Sequence, residues 1–197
     1  GGVLYGIAKD DDTTAVALSL LQIQAELYAG KSPAEISPSL YFELPQLPED
    51  DANFLLLLSA RYAYYLDAGD AENANKVSER IFSVKKYVPK VFLDQVNADL
   101  LYNASAVNKS EYEADDLMDY AEKYLNGEET ASNMRIKAAY VLYVVGDREK
   151  ADRLIARGEE LCDAERIPGI AKMERKLLAA MKEATPETET PSPAEEG

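Results

Sequence analysis

The chain has no histidine, no tryptophan and a single cysteine among its 197 residues. The absence of histidine removes the commonest general acid–base side chain, every histidine-based triad and most zinc sites. One cysteine, Cys162, excludes an internal disulfide and a cysteine-rich metal centre. It fits a reducing compartment, so a cytoplasmic location is expected. Acidic neighbours in Gly158-Glu159-Glu160-Leu161-Cys162-Asp163 raise a thiol pKa, so Cys162 reads as a small core residue and not as a nucleophile. Neither G-x-x-x-x-G-K-[ST] nor G-x-G-x-x-G is present, so no phosphate cradle is indicated. The apolar runs, such as Phe54-Leu55-Leu56-Leu57-Leu58, are far short of a membrane span. No signal-peptide pattern is seen. The chain opens Gly1-Gly2-Val3 with no initiator methionine, which is expected of a piece cut from a longer gene product.

Positive charge is also scarce. There are 21 Lys and Arg against 36 Asp and Glu, a net charge of −15. Nucleic acids and anionic membranes need basic residues to displace their counterions, so they are poor partners for this chain. The acid serves solubility, or alternatively docking.

What remains is helix-forming. Ala, Leu and Gln crowd the stretch from Asp12 to Ala29, with Asp10-Asp11-Asp12-Thr13 offering caps at its start and Gly30 ending it. Pro33, Pro38, Pro45 and Pro48 forbid a long helix next, so a helical turn near Pro33 to Ile36 and an extended connector are expected. Asp50 or Asp51 caps a helix that runs to Ala68. Further helices are expected at about 70–87, 89–107, 110–125, 130–145, 147–165 and 169–184. No segment alternates cleanly enough for a strand. The tail from Thr185 to Gly197, with no large apolar residue and no positive charge, is expected to be disordered.

An internal repeat organises these helices. Gly69-Asp70-Ala71-Glu72-Asn73-Ala74 recurs as Gly146-Asp147-Arg148-Glu149-Lys150-Ala151, both G-D-x-E-x-A. Lys109-Ser110-Glu111-Tyr112-Glu113-Ala114 is a degenerate copy, and a fourth begins at Gly30. The anchors 30, 69, 109 and 146 are spaced 39, 40 and 37 residues apart. Glycine closes one helix in the left-handed region. Asp70, Ser110 and Asp147 cap the next helix, and Glu72, Glu113 and Glu149 oppose its dipole. Ser110 with Glu113 also fits a capping box. Ala74, Ala114 and Ala151, about one turn in, let two helices approach closely. Such hairpins, repeated, stack into solenoids.

These units resemble tetratricopeptide-type repeats from about Asp50 to Ala184. That family has a period of about 34 residues. Its small-residue site in the second helix is matched by Ala74, Ala114 and Ala151. A later small site is matched by Ala121 and Gly158 but filled by Ile81. Tyr65 matches the aromatic of the first helix, which Ser105 and Leu142 replace in later units. The family's Trp is absent, its Pro arrives late at Pro89 and Pro168, and Tyr62 and Tyr102 occupy a site that it keeps small. The whole chain is also similar, more loosely, to the cytosolic C-terminal extension of bacterial site-2-protease-like membrane metalloproteases. The carriers are a Gly-Gly start, a helix, the proline-rich connector Ser39-Leu40-Tyr41-Phe42-Glu43-Leu44-Pro45 and then helical repeats. In that family a Leu-Asp-Gly motif upstream supplies a metal ligand, and none of that catalytic motif lies in this chain.

The carboxylate clusters Asp10-Asp11-Asp12 and Glu49-Asp50-Asp51 read as caps, since a calcium loop needs alternating ligands and a central Gly. Asp115, Asp116 and Asp119 share a helix face, as a solvated acidic surface or two carboxylates for a cation. Tyr62, Tyr64 and Tyr65, and Tyr140 and Tyr143, pack between helices or form a recognition surface. The repeat resemblance implies a concave groove made by the first helix of each unit. Its candidate residues are Ser59, Ala63, Asp99, Asn103, Asn133, Tyr140 and Tyr143, which are otherwise core or merely wet.

The expected fold is all-α: antiparallel helical hairpins stacked as a short right-handed α-solenoid of tetratricopeptide type. Residues 1–49 form an N-terminal helix and connector packed on the array, 50–184 the array, and 185–197 the tail. The expected function is a protein–protein interaction or scaffold module of a larger protein, binding a protein or peptide and using no metal or cofactor. The alternative is a cytosolic accessory or regulatory domain of a site-2-protease-like zinc metalloprotease, with all catalysis upstream.

Overall fold

In a computed structural model of the chain, residues 2–184 are described, and for residues 2–10 the backbone alone. The expected tail lies outside the described residues. Those residues form nine α-helices and no strand: α1 (Gly2–Tyr28), α2 (Ser39–Phe42), α3 (Ala52–Ala68), α4 (Ala71–Val84), α5 (Lys90–Tyr102), α6 (Glu111–Gly127), α7 (Ala131–Tyr140), α8 (Arg148–Cys162) and α9 (Pro168–Glu183). Three-residue 3₁₀ turns lie at Pro33–Glu35 and Lys85–Tyr87, and π-helical turns at Asn103–Val107 and Val141–Val145.

Four described residues have a left-handed backbone: Gly30, Gly69, Lys109 and Gly146. They are the four repeat anchors. Gly69 ends α3 with its N–H on Leu66 O, and the Asp70 N–H reaches back to Tyr65 O at 2.9 Å. Asp70 then caps α4 by accepting from Asn73 N at 3.1 Å, and Asp147 caps α8 by accepting from Lys150 N at 2.9 Å. Asp51 and Thr130 cap α3 and α7 in the same way. Ala74, Ala114, Ala121 and Ala151 are fully buried at helix contacts, as close packing requires.

Three local expectations are corrected. The first helix begins at Gly2, so Asp10-Asp11-Asp12 lie within it and do not cap it. No proline interrupts that stretch, so a helix nucleated in its apolar half propagates backward, while Asp11 and Asp12 stay exposed to water. The connector is not wholly extended, because Pro38 starts a single turn, α2, that ends before Pro45. The Ser110–Glu113 capping box does not form. A π-helical turn ends α5, the Ser110 N–H bonds Ala104 O, and Glu113 instead accepts from Asn108 Nδ2 at 3.3 Å.

Three antiparallel hairpins follow one another, α3/α4, α5/α6 and α7/α8, and α9 packs on α7 and α8. α9 also reaches α1, α3 and the 33–35 turn. In a solenoid each unit touches only its neighbours; here the last helix meets the first ones. Lys172 Nζ pairs with Glu35 at 2.5 Å. Lys176 donates to the backbone oxygen of Asp67, whose buried carboxylate accepts from Ala34 N at 2.8 Å. Gly169 makes this closure fit, since a Cβ there would stand 2.0 Å from Lys31 O.

The aromatic residues of the connector and α3 form one layer. Tyr41, Phe42, Tyr64 and Tyr65 stack with ring centroids 5.0–5.9 Å apart, Arg61 covers Phe42, and the Tyr41 hydroxyl donates to Pro33 O at 2.9 Å. Tyr64 and Tyr65 therefore clamp the connector onto α3.

Candidate functional site

The first helix of each hairpin, together with α9, contributes to one buried polar cluster. Tyr62 comes from α3, Asp99 and Tyr102 from α5, Arg135 from α7 and Glu174 from α9. Arg135 donates through Nε to Glu174 Oε2 at 2.6 Å and through Nη2 to Glu174 Oε1 at 3.1 Å. Its guanidinium carbon lies 4.1 Å from the centre of the Tyr102 ring. Both partners are almost fully buried, so the pair is desolvated and depends on its own geometry. Burial opposes the Arg135 charge, but Glu174, Tyr102 and Asp99 together outweigh it and raise the arginine's pKa above its ordinary value. Burial likewise raises the Tyr62 and Tyr102 phenols. Tyr62 continues the cluster outward, donating to Asn103 Oδ1 at 3.4 Å, and Asn103 Nδ2 donates to Asn75 at 2.9 Å. This cluster lies between α3, α5, α7 and α9 and ties the four helices together.

Beside it, α3 and α5 stand apart and leave a cleft of about 420 Å³, closed at one end by the α4–α5 connection. Leu55, Leu56, Val84, Val88, Phe92 and Val96 form its walls, with Tyr87 and Ser59. The α5 contribution is a stripe, Phe92, Gln95, Val96 and Asp99, at the 3–4 residue spacing that puts side chains on one helix face. Leu56 and Phe92 are each 55% exposed, although both are large and apolar. Asp99 lines the same cleft, partly buried. Burial pushes its carboxyl up to about 6, with Arg135 pulling it down and Glu174 pushing it up. It is therefore charged at neutral pH.

The seven residues of the expected groove do not share one surface. Ser59 and Asp99 meet in the α3–α5 cleft. Ala63 is half-buried one turn further along α3. Asn103 lines a second cavity, of about 350 Å³, between α4 and α6. Asn133 is 3% exposed, with Nδ2 donating to Glu128 O at 2.9 Å, so it serves the α6–α7 turn. Tyr140 donates to Asp115 Oδ1 at 2.7 Å, which pushes its phenol up to about 12. Lys109 lies 5.7 Å from the Tyr143 ring centre. Asp115 thus has a phenol partner, and among the described residues no group of three His, Cys, Asp or Glu is arranged to hold a metal ion. No described helix is long and apolar enough to cross a membrane. Cys162 is buried, its thiol pushed up by burial and then by Glu174.

Reading the sequence alone missed Leu56, Phe92 and the Arg135–Glu174 pair. Four consecutive leucines, 55–58, cannot all face inward from one helix, which was the available signal for Leu56. The ion pair joins residues 39 apart and has no local signature. Compared with protein-family models, with curated proteins and with solved structures, the chain matches none.

Proposed function

We propose that the chain is a protein-binding module of a larger protein, that it performs no catalysis itself, and that its binding face is the α3–α5 cleft. The observation that carries this reading is the cleft's apolar wall, with Leu56 and Phe92 half exposed beside the charged Asp99. Large apolar side chains left in water favour a covered state, and grouped in a concavity they mark interaction sites. A cleft of this size admits a peptide segment better than a flat domain surface.

In this reading the three hairpins are divergent tetratricopeptide-like units in a short array. Support comes from the buried alanines at equivalent positions, 74, 114 and 151, and from the left-handed residues at the shared turn. The inner face of such an array is where a peptide would lie. Here the Arg135–Glu174 cluster occupies its centre, which leaves the gap between the first two units as the open portion.

Selection of peptides from a displayed random library on the immobilised chain tests the proposal. Enriched peptides are expected to lose at least tenfold in affinity for a Leu56→Glu/Phe92→Glu variant that keeps its helical circular dichroism. Equal binding to that variant would sink the assignment of the cleft.

A further inference from the structure

We infer that the α3–α5 cleft recognises a lysine side chain flanked by apolar residues in a partner's peptide segment, the ammonium seated on Asp99 and its stem on Phe92 and Val88. The inference rests on the protein-binding reading above and adds the chemistry of the ligand.

Charge complementarity carries it. The cleft is lined by four carboxylates, Glu49, Asp50, Asp51 and Asp99, and by no Lys or Arg. Two of the three at the mouth are engaged within the chain. Glu49 pairs with Arg80. Asp51 caps α3 through Asn53 N at 2.9 Å and accepts from Thr13 Oγ1 at 3.2 Å. Asp50 is exposed. Asp99 differs from all of them. It lies inside, against apolar walls, and among the described residues no side chain or backbone amide is seen to donate to its carboxylate. Its nearest opposite charge, Arg135, is already held bidentately by Glu174.

A partly buried carboxylate that lacks a protein donor is only incompletely solvated, and a cation that enters the cleft improves its surroundings. The shape selects the cation. One carboxylate in an apolar channel suits a compact ammonium on an aliphatic stem; a guanidinium fork is best matched by bidentate planar acceptors. A divalent metal needs several oxygen ligands converging at short distance, and two of the three mouth carboxylates are engaged within the chain, with no group of three His, Cys, Asp or Glu among the described residues arranged to hold one. Ser59 Oγ offers a further acceptor along the cleft, and the faces of Tyr87 and Phe92 favour a passing cation.

The test uses the full chain with amide NMR and two peptides, acetyl-Leu-Ala-Lys-Ala-Leu-amide and the same peptide with norleucine replacing lysine. The lysine peptide is expected to shift the amides of Leu55, Ser59, Val88, Phe92 and Asp99 and to bind at least tenfold tighter than its norleucine counterpart. In Asp99→Asn that preference is expected to shrink below twofold while the spectrum stays folded. Cleft shifts of equal strength with both peptides overturn the lysine inference and leave the protein-binding reading standing. A preference unchanged by Asp99→Asn also overturns the inference. Shifts from neither peptide overturn both.

Discussion

α7 and α8 are the two arms of one hairpin, joined through Gly146, and each carries an arginine paired with a glutamate. On α7, Arg135 and its partner Glu174 are 5% and 2% exposed. On α8, Arg153 and Glu149 are 64% and 86% exposed. The surroundings differ as sharply as the pairs. α7 is buried on nearly every side, so its sequence shows no apolar face. α8 buries a single stripe, Ala151, Ile155, Gly158 and Cys162, and turns the rest to water. The same chemistry is structural in one arm and incidental in the other, because solvent screens one pair and not the other.

Removing one partner from each pair sharpens this contrast most. Glu174→Ala leaves the Arg135 charge buried and unpaired, and should cost about 3–5 kcal/mol in urea unfolding. Glu149→Ala should cost about 0.5 kcal/mol or less. Replacing both buried partners, as Arg135→Met/Glu174→Leu, should recover most of the loss. A loss below about 1 kcal/mol for Glu174→Ala would mean that water reaches the pair, and the contrast would fail.

Close approach is a second property of the interior. Gly169→Ala places a Cβ 2.0 Å from a backbone oxygen of Lys31, which cannot rotate away, so α9 must move off α1. A loss of about 1–3 kcal/mol is expected. At Gly158 the nearest atom is the flexible end of Leu178 at 3.0 Å, and Gly158→Ala should cost less. Matching thermal denaturation of the two variants would break the distinction between backbone and side-chain contacts.

The same divide explains what was legible in the sequence. Turns and outer helices are written locally. Gly69-Asp70 and Gly146-Asp147 specify a left-handed stop and a cap within two residues, and the alanines that follow mark the contact face. The closure of α9 on α1 was not legible, because Gly169 and Lys31 are brought together only by the whole fold. The expected groove residues are divided among several places. Ser59 and Asp99 share the cleft, but Asn103 sits on the other side of α5, where the stripe Leu100, Asn103 and Ala104 faces α4 and α6. A regular helical repeat cannot anticipate the π-helical turn that begins at Asn103.

Asp99 lies between the two regimes, charged yet only partly screened. Its folded pKa of about 6 lies above the ordinary 3.8, so folding favours its protonated form. The contribution is fully present below about pH 4 and is lost as pH rises through about 6. Asp99→Asn removes that loss. All other groups are common to both proteins and largely cancel in the difference. The variant should match the parent near pH 4 and exceed it above pH 6 by about 1–2 kcal/mol, after allowing for screening in the open cleft. A difference independent of pH would show that the Asp99 carboxyl is open to water.

The smallest effects should appear at the turns, where two copies of one motif can be compared. Asp147 accepts from Lys150 N, whereas the Ser110 side chain makes no cap bond. Asp147→Ala should therefore cost about 1 kcal/mol. Ser110→Ala should cost close to nothing, although a capping rule read from sequence would rank the two alike. The reason lies one residue earlier. Lys109 holds the left-handed position that glycine holds elsewhere, at a φ of 52°, after a π-helical turn that already bonds the Ser110 amide to Ala104. Lys109→Gly would relieve that backbone but give up the ammonium beside the Tyr143 ring. Equal losses for Asp147→Ala and Ser110→Ala would mean that Ser110 does cap α6 in solution, and the two turns would then be the same device.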